Sequence, residues 1–270
     1  MSLDERHEMS MPVHQNAVDL FQNEWVSKLP NYTSGGDADL YDDGRLNDIE
    51  KVIGSFAGLD ILELGPLEAG HSFMMESRGA NSILSIESNT RAYMKCLVAK
   101  EIFNLKNTRF LLGDFNKYLK DQSDKFDLIL ALGVIYHMEN PVETLAEIFR
   151  CTDRVAIWSH FYDESIGSDS RLRRALRGKS KVLSSGDFSQ KCYQYNYGRK
   201  SRLPVNRRWP WLHIQKTSLP FLGAAGRYAY WLPMDGWLRV CEHFGFDLEI
   251  ISQNLDHPNG PQFTAVATRH

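Results

Sequence analysis

Between residues 59 and 161, short apolar runs alternate with helical segments, and this alternation restricts the fold more than any other feature of the chain. The runs are LDILEL (59–64), NSILSIE (81–87), TRFLLGD (108–114), FDLILALG (126–133) and DRVAIWSHF (153–161). Between them, SFMMESRG (72–79) and NTRAYMKCLVAKEIFN (89–104) read as helices, the second with Ala92, Cys96, Ala99 and Phe103 on one stripe. PVETLAEIFR (141–150) is a third helix, with proline at its first turn, where the missing N–H is harmless. Strands that are apolar on both faces must be covered on both faces. Right-handed crossovers then give an α/β fold with a doubly wound, mostly parallel sheet. MDGWLRVCEHFGF (234–246) adds a last helix with Met234, Trp237, Leu238, Cys241 and Phe244 on one face, and DLEIIS and QFTAVATR complete a seven-stranded sheet.

Ahead of the sheet, AVDLFQNEWVSKL sets Val18, Phe21, Trp25 and Leu29 at helical spacing, followed by a Gly- and Asp-rich loop and a short helix, LNDIEKVIGSF. The expected organisation is an N-terminal helical section and lid (1–56), an α/β core (57–162), an inserted cap (163–230), and the last helix and strands of the core (231–270).

Composition bounds the class. Hydrophobic content of 43% and charged content of 24% are ordinary for a soluble globular protein. No apolar run is long enough to span a membrane, and the first fifteen residues lack the apolar centre of a secretory signal. The four cysteines are isolated, with no CxxC spacing, so zinc is not expected and free thiols in a reducing cytoplasm are. The small net charge of −3 hides an asymmetry: residues 163–230 carry 14 Lys and Arg against 4 Asp and Glu. The rest of the chain is therefore strongly acidic, and the basic block calls for its own account.

The first strand ends in DILELGPLEAGHSF. In a doubly wound sheet, ligands sit at the carboxyl ends of the strands near the switch point. Gly65 lets the backbone approach a ligand there, and the next helix opens its free N–H groups near Gly70. Glu87, at the end of the second strand, stands where a carboxylate accepts both hydroxyls of a ribose. A dinucleotide would want GxGxxG. This turn lacks the middle glycine, and Glu68 would set a negative charge near the phosphates. A ligand without phosphates and with an ammonium group suits it better.

These residues resemble the motifs of the class I S-adenosylmethionine (SAM)-dependent methyltransferases. ILELGPLEAG is similar to their first motif, SIESN to the second, LLGDF to the third and FDLILALGVIYHMENP to the fourth. The resemblance implies the Rossmann-like methyltransferase fold and SAM as cofactor, with S-adenosylhomocysteine (SAH) as its product. It implies cofactor contacts from Glu63, Gly65, Pro66, Gly70, Glu87, Ser88, Asp114, Phe115, Leu132 and Gly133. Asp114 would accept from the adenine amino group and Phe115 would lie against the ring. The ending GVIYHMENP resembles the branch that holds tRNA wobble-uridine modifying enzymes and many small-molecule O- and N-methyltransferases.

Chemistry is expected at the ends of the fourth and fifth strands. His137 and His160 are the candidate general bases, because imidazole titrates near neutral pH, and Tyr136 and Tyr162 stand beside them as substrate contacts. A metal would need His160, Asp163 and His257 to converge, which nothing in their spacing demands. The loop with Tyr41, Asp42 and Arg45 is a candidate flap over the cofactor. In the cap, RLRRALRGKSK (171–181) reads as a short basic helix, and Arg207 and Arg208 sit among aromatics, a mixture that suits phosphate plus a flat or sugar-like group. The expected acceptor is a small anion, phosphorylated or linked to a nucleotide or lipid. A tRNA-modifying enzyme of the same fold and a non-catalytic SAM-binding protein stay open beside it.

Overall fold

Every residue of β4 (Leu128–Leu132) is buried, and its side chains divide by the two-residue period of a strand. Leu128, Leu130 and Leu132 enter a core on one side of the sheet with Leu46, Ile49 and Met75. Ile129 and Ala131 enter a core on the other side with Leu145, Ile148 and Trp237. A computed structural model thus shows why the run FDLILALG carries no polar face; it describes residues 7–164, 166, 175–176, 179–197 and 228–270.

The sheet has seven strands in the order β3-β2-β1-β4-β5-β10-β9. The other six are β1 (Asp60–Leu64), β2 (Ser82–Glu87), β3 (Thr108–Leu112), β5 (Arg154–His160), β9 (Phe246–Asn254) and β10 (Gln262–Arg269). β1 lies parallel to both β2 and β4, pairing Ile61 with Ile83 on one side and with Leu128 on the other. Only β10 runs against its neighbours. Strand order reverses between β1 and β4, so the crevice that a doubly wound sheet offers to ligands opens there.

Helices α2 (Gly44–Ile53), α3 (Gly70–Ser77), α4 (Thr90–Ile102), α5 (Phe115–Asp121), α6 (Pro141–Cys151) and α7 (Met234–His243) accompany the sheet. Asn89 caps α4 by accepting from the N–H groups of Arg91 and Ala92, and Asn140 caps α6 just ahead of Pro141.

Three local expectations need correction, and one element was not expected. The N-terminal helix is only α1 (His14–Asp19), because the chain turns at Asn23, whose φ is 63°. Val18, Phe21, Trp25 and Leu29 are nevertheless all buried, Trp25 by folding back to donate its Nε1–H to the Val18 carbonyl at 2.9 Å. On α7, Leu238 is 48% exposed, and the buried face runs through Gly236, Trp237, Val240 and Cys241. One residue along a helix is a rotation of roughly 100°, enough to carry Leu238 off the stripe. The unexpected element is a three-stranded antiparallel sheet of β6 (Ser180–Ser185), β7 (Phe188–Asn196) and β8 (Tyr228–Trp231). Its first turn is Gly186–Asp187, with Gly186 at φ 57°, a two-residue hairpin signal that the basic residues around it obscured. Finally, Ser180 and Lys181 open β6 and so do not belong to a basic helix. Most of that expected helix, together with Arg207 and Arg208, lies outside the described residues.

Candidate active site

At the carboxyl ends of β1 and β4 lies a cavity of about 460 Å³. Gly65 forms its floor at φ 68°, and a Cβ there would meet Val134 Cγ1 at 2.7 Å. Glycine is therefore required by conformation and by space at once. Glu87 ends β2 with its carboxylate held from behind: Oε1 accepts from the Asn89 N–H at 2.8 Å and Oε2 from the Leu67 N–H at 3.1 Å. Burial raises its pKa, and those N–H donors pull it back down. Each oxygen keeps lone-pair capacity for a ligand. Phe115, Leu132 and Met138 line the same end.

The turn after Gly65 achieves its shape without further glycine. Leu67 and Ala69 both take left-handed backbone, φ 54° and 66°, which is uphill for residues with a Cβ. The residue between them supplies the anchor. Glu68 is fully buried, accepts from the N–H groups of Val26 and Ser27 at 2.8–3.0 Å, and is ion-paired with Lys95. The Tyr41 hydroxyl donates to the Glu68 carbonyl at 2.5 Å. Glu68 therefore points away from the cavity and ties the N-terminal segment to the turn, and the charge expected beside a phosphate is neutralised elsewhere. Gly70 serves the same join, since a Cβ on it would lie 2.4 Å from the Leu40 carbonyl oxygen. Leu40, Glu24 and Arg45 from this segment wall the cavity.

The other end is aromatic. Tyr136 and His160 rings lie 4.7 Å apart, Trp158 and His160 5.1 Å apart, and Trp231 of β8 stacks on His160 at 5.3 Å and 11°. Tyr195 of β7 stacks in turn on Trp231 at 4.8 Å, so the small sheet backs this wall. The two histidines are not equivalent. His160 Nδ1 lies 3.0 Å from the Gly260 carbonyl oxygen and 3.2 Å from that of Pro261. A carbonyl only accepts, so Nδ1 carries the proton and Nε2 keeps its lone pair. Burial, the largest influence, takes its pKa down to about 4. His137 is also held down to about 4, by burial first and then by His160. Its Nδ1 faces the Tyr197 hydroxyl at 2.6 Å. Burial raises the pKa of that phenol, which also lies 3.5 Å from the Tyr136 carbonyl oxygen. His160 thus offers the cavity an acceptor.

Of the residues expected from sequence, Gly65, Pro66, Gly70, Glu87, Ser88, Phe115, Leu132, Gly133, Tyr136, His137 and His160 come together around the cavity. Glu63, Asp114 and Tyr162 do not. Glu63 lies beneath the floor, bonded to Ser72 and Ser85, with Oε1 buried and 3.8 Å from His71 Nδ1. Asp114 is exposed and caps α5 by accepting from the Asn116 N–H at 2.9 Å. Tyr162 lines a separate hollow beside Tyr193, against which it stacks. Sequence reasoning missed His71, Trp158, Tyr195, Tyr197 and Trp231. The tryptophans and tyrosines carry no motif, and only the folded sheet edges bring them to one wall.

Residues 56–190, half of the chain, match the sequence family described as a methyltransferase domain. The chain is 29% identical over 91 residues to the tRNA U34 carboxymethyltransferase of Campylobacter hominis, covering 34% of this chain and 31% of that protein. It is 22% identical over 138 residues to the enzyme of the same name from Psychrobacter arcticus, covering 47% and 37%. The matches thus span about a third of the length of these curated relatives. Among solved structures, the N-terminal domain of EvdMO1 crystallised with SAH and D-fucose aligns with a TM-score of 0.64 at 17% identity, over 95% of this chain and 94% of that one. The SAH-bound magnesium protoporphyrin IX methyltransferase of Synechocystis PCC 6803 aligns with a TM-score of 0.51 at 13% identity, over 84% of each. At these identities the structural likeness speaks to the fold.

Proposed function

The chain belongs to the class I SAM-dependent methyltransferases, and from that premise we propose that it moves the methyl of SAM to an oxygen or nitrogen of a small, anionic acceptor. The observation that carries this reading is the division of one cavity into a hydroxyl-accepting end at Glu87 and an aromatic end at His160. The fit to the cofactor is good. Glu87 would hold the ribose hydroxyls, Gly65 and Pro66 would let the thioether chain pass, and Phe115 would lie along the adenine. A dinucleotide would want a middle glycine in this turn, where Leu67 stands instead.

When bound, SAM supplies an electrophilic methyl on a sulfonium. The chain's part is to align the acceptor and take its proton. His160 Nε2 would receive the hydrogen bond of the acceptor's O–H or N–H and take that proton as the methyl passes from sulfur to the heteroatom, the thioether SAH being the leaving group. A base with so low a pKa works mainly by orientation, so alignment supplies most of the rate. His137 and Tyr136 complete the wall.

The name of the curated relatives favours a second reading, a tRNA base as acceptor. The two readings share the cofactor. Calorimetric titration with SAH tests both: binding with a Kd of about 1–10 µM is expected, and no binding up to about 1 mM overturns the cofactor assignment. Methyl transfer from labelled SAM to a panel of anionic metabolites, set against transfer to bulk tRNA, then decides the acceptor class.

A further inference from the structure

At the acceptor end, one guanidinium stands among aromatic rings. Arg45, on the first turn of α2, lies over the Trp158 ring with Cζ 4.8 Å from its centroid. Its inner edge is fixed: Nε is 3.0 Å from both oxygens of Asp43, and Nη2 is 2.5 Å from Oδ2. Asp43 is buried and held in turn by His71 Nε2 at 2.9 Å and by its own cap on the Arg45 N–H. The guanidinium is therefore braced in one orientation. Among the described residues Nη1 has no partner, and the side chain lines the cavity. The charge partners of the cavity's other cations differ: Arg91 is paired with Glu24 and Lys95 with Glu68. Tyr136, His137, His160 and His257 complete the surroundings.

We infer that the acceptor is a ring-bearing carboxylate, its ring against Tyr136, Trp158 and His160 and its carboxylate on the outer edge of Arg45. The inference rests on the proposed methyltransferase reading and specifies the acceptor for that same site. Three features carry it. A braced guanidinium with a free edge presents parallel N–H donors, the geometry that a planar carboxylate matches. Aromatic faces bear negative charge and repel an anion, so the acid has to sit at the cation while the ring takes the walls. The cavity, about 460 Å³ in all, must also hold the cofactor, so the acceptor's ring has to be small. The anion anchor thus moves from the insertion to the N-terminal segment.

The test uses SAH-saturated full-length protein and two probes of the same shape, 3-hydroxybenzoate and 3-hydroxybenzamide, titrated by calorimetry. The acid is expected to bind roughly tenfold or more tighter than the amide, the discrimination of one charged hydrogen-bonded pair. Arg45→Gln should abolish that preference while SAH affinity stays within about twofold, and Arg45→Lys should restore only part of it, since an ammonium lacks the fork. Equal binding of acid and amide by the native protein, failure of both to bind, or a preference surviving in Arg45→Gln overturns the inference. An Arg45-dependent preference for a carboxymethyl analogue of SAM, with the two probes bound alike, assigns the carboxylate to the transferred group and overturns it too. Loss of SAH binding in the native protein would instead sink the cofactor assignment, so the two failures are distinguishable.

Discussion

Two carboxylates that the motifs treat alike differ once folded. Glu87 is 7% exposed and braced by two backbone N–H groups with its oxygens toward the cavity, whereas Asp114 is exposed and engaged as a helix cap. Glu87→Ala should weaken SAH binding by about 1–3 kcal/mol, the range for a hydrogen bond to a charged group. Asp114→Ala should leave that affinity within about twofold and instead lower unfolding stability by about 1 kcal/mol. Calorimetry and urea denaturation on the same two variants separate the roles, and equal losses of affinity would restore Asp114 to the cofactor site. His160 gives a pH prediction. Its folded pKa of about 4 lies below the ordinary histidine value of 6.5, so between those values the unfolded chain binds the extra proton. Stability from this group is complete above pH 6.5 and falls as pH drops toward 4. The shift corresponds to about 3 kcal/mol; partly exposed His137 shifts the same way and counts for less. Burial raises Glu63 and Glu87, which makes stability fall with rising pH and so opposes the histidines. The contrast with His160→Gln isolates the imidazole: its slope of unfolding free energy between pH 4.5 and 6.5 should be flatter than that of the native protein. Parallel slopes would mean that the imidazole is not buried neutral.

At the scale of elements, the strands were legible because their apolar periodicity is a property of sequence alone, and β4 and β1 report it on both faces. The proline in the first turn of α6 was legible for the same reason, being local. The turn PLEA was not. Glu68 gains its meaning from the N–H groups of Val26 and Ser27, about 40 positions earlier, a pairing that no window on the sequence contains. Without that partner, the acid reads as a charge in the site. Two substitutions probe the join. Gly70→Ala pushes a Cβ against the Leu40 carbonyl and should loosen the N-terminal segment, raising the SAH Kd and exposing residues 7–40 to protease while the sheet stays folded. Glu68→Gln leaves the buried Lys95 without its counter-charge and should cost about 3 kcal/mol of stability. If both variants keep native protease resistance, the segment does not depend on this turn.

Across the whole molecule, charge is divided more sharply than the net value of −3 reveals. The basic residues collect in 163–230, yet what the described residues there bring to the site is aromatic: Tyr195 stacks on Trp231, the last residue of β8, which stacks on His160 in the cavity wall. The anion contact proposed at Arg45 acts at short range, and the 14 Lys and Arg of residues 163–230 act at long range. They respond differently to salt. A braced, partly buried guanidinium is screened weakly, while exposed charges lose their reach as the Debye length shrinks from about 10 Å at 0.1 M to about 3 Å at 1 M. A small carboxylate acceptor should therefore lose only a few-fold in affinity between about 50 and 200 mM salt. An RNA acceptor crossing many phosphates would lose about 10³–10⁵ over the same range. The acidic remainder of the chain opposes the approach of a polyanion. Bulk tRNA is accordingly expected to bind no tighter than about 10⁻⁵ M at physiological salt and to take up no label from methyl-labelled SAM. Tight tRNA binding with the steep salt slope, and label in the RNA, would make the basic block the docking face and the tRNA reading the correct one.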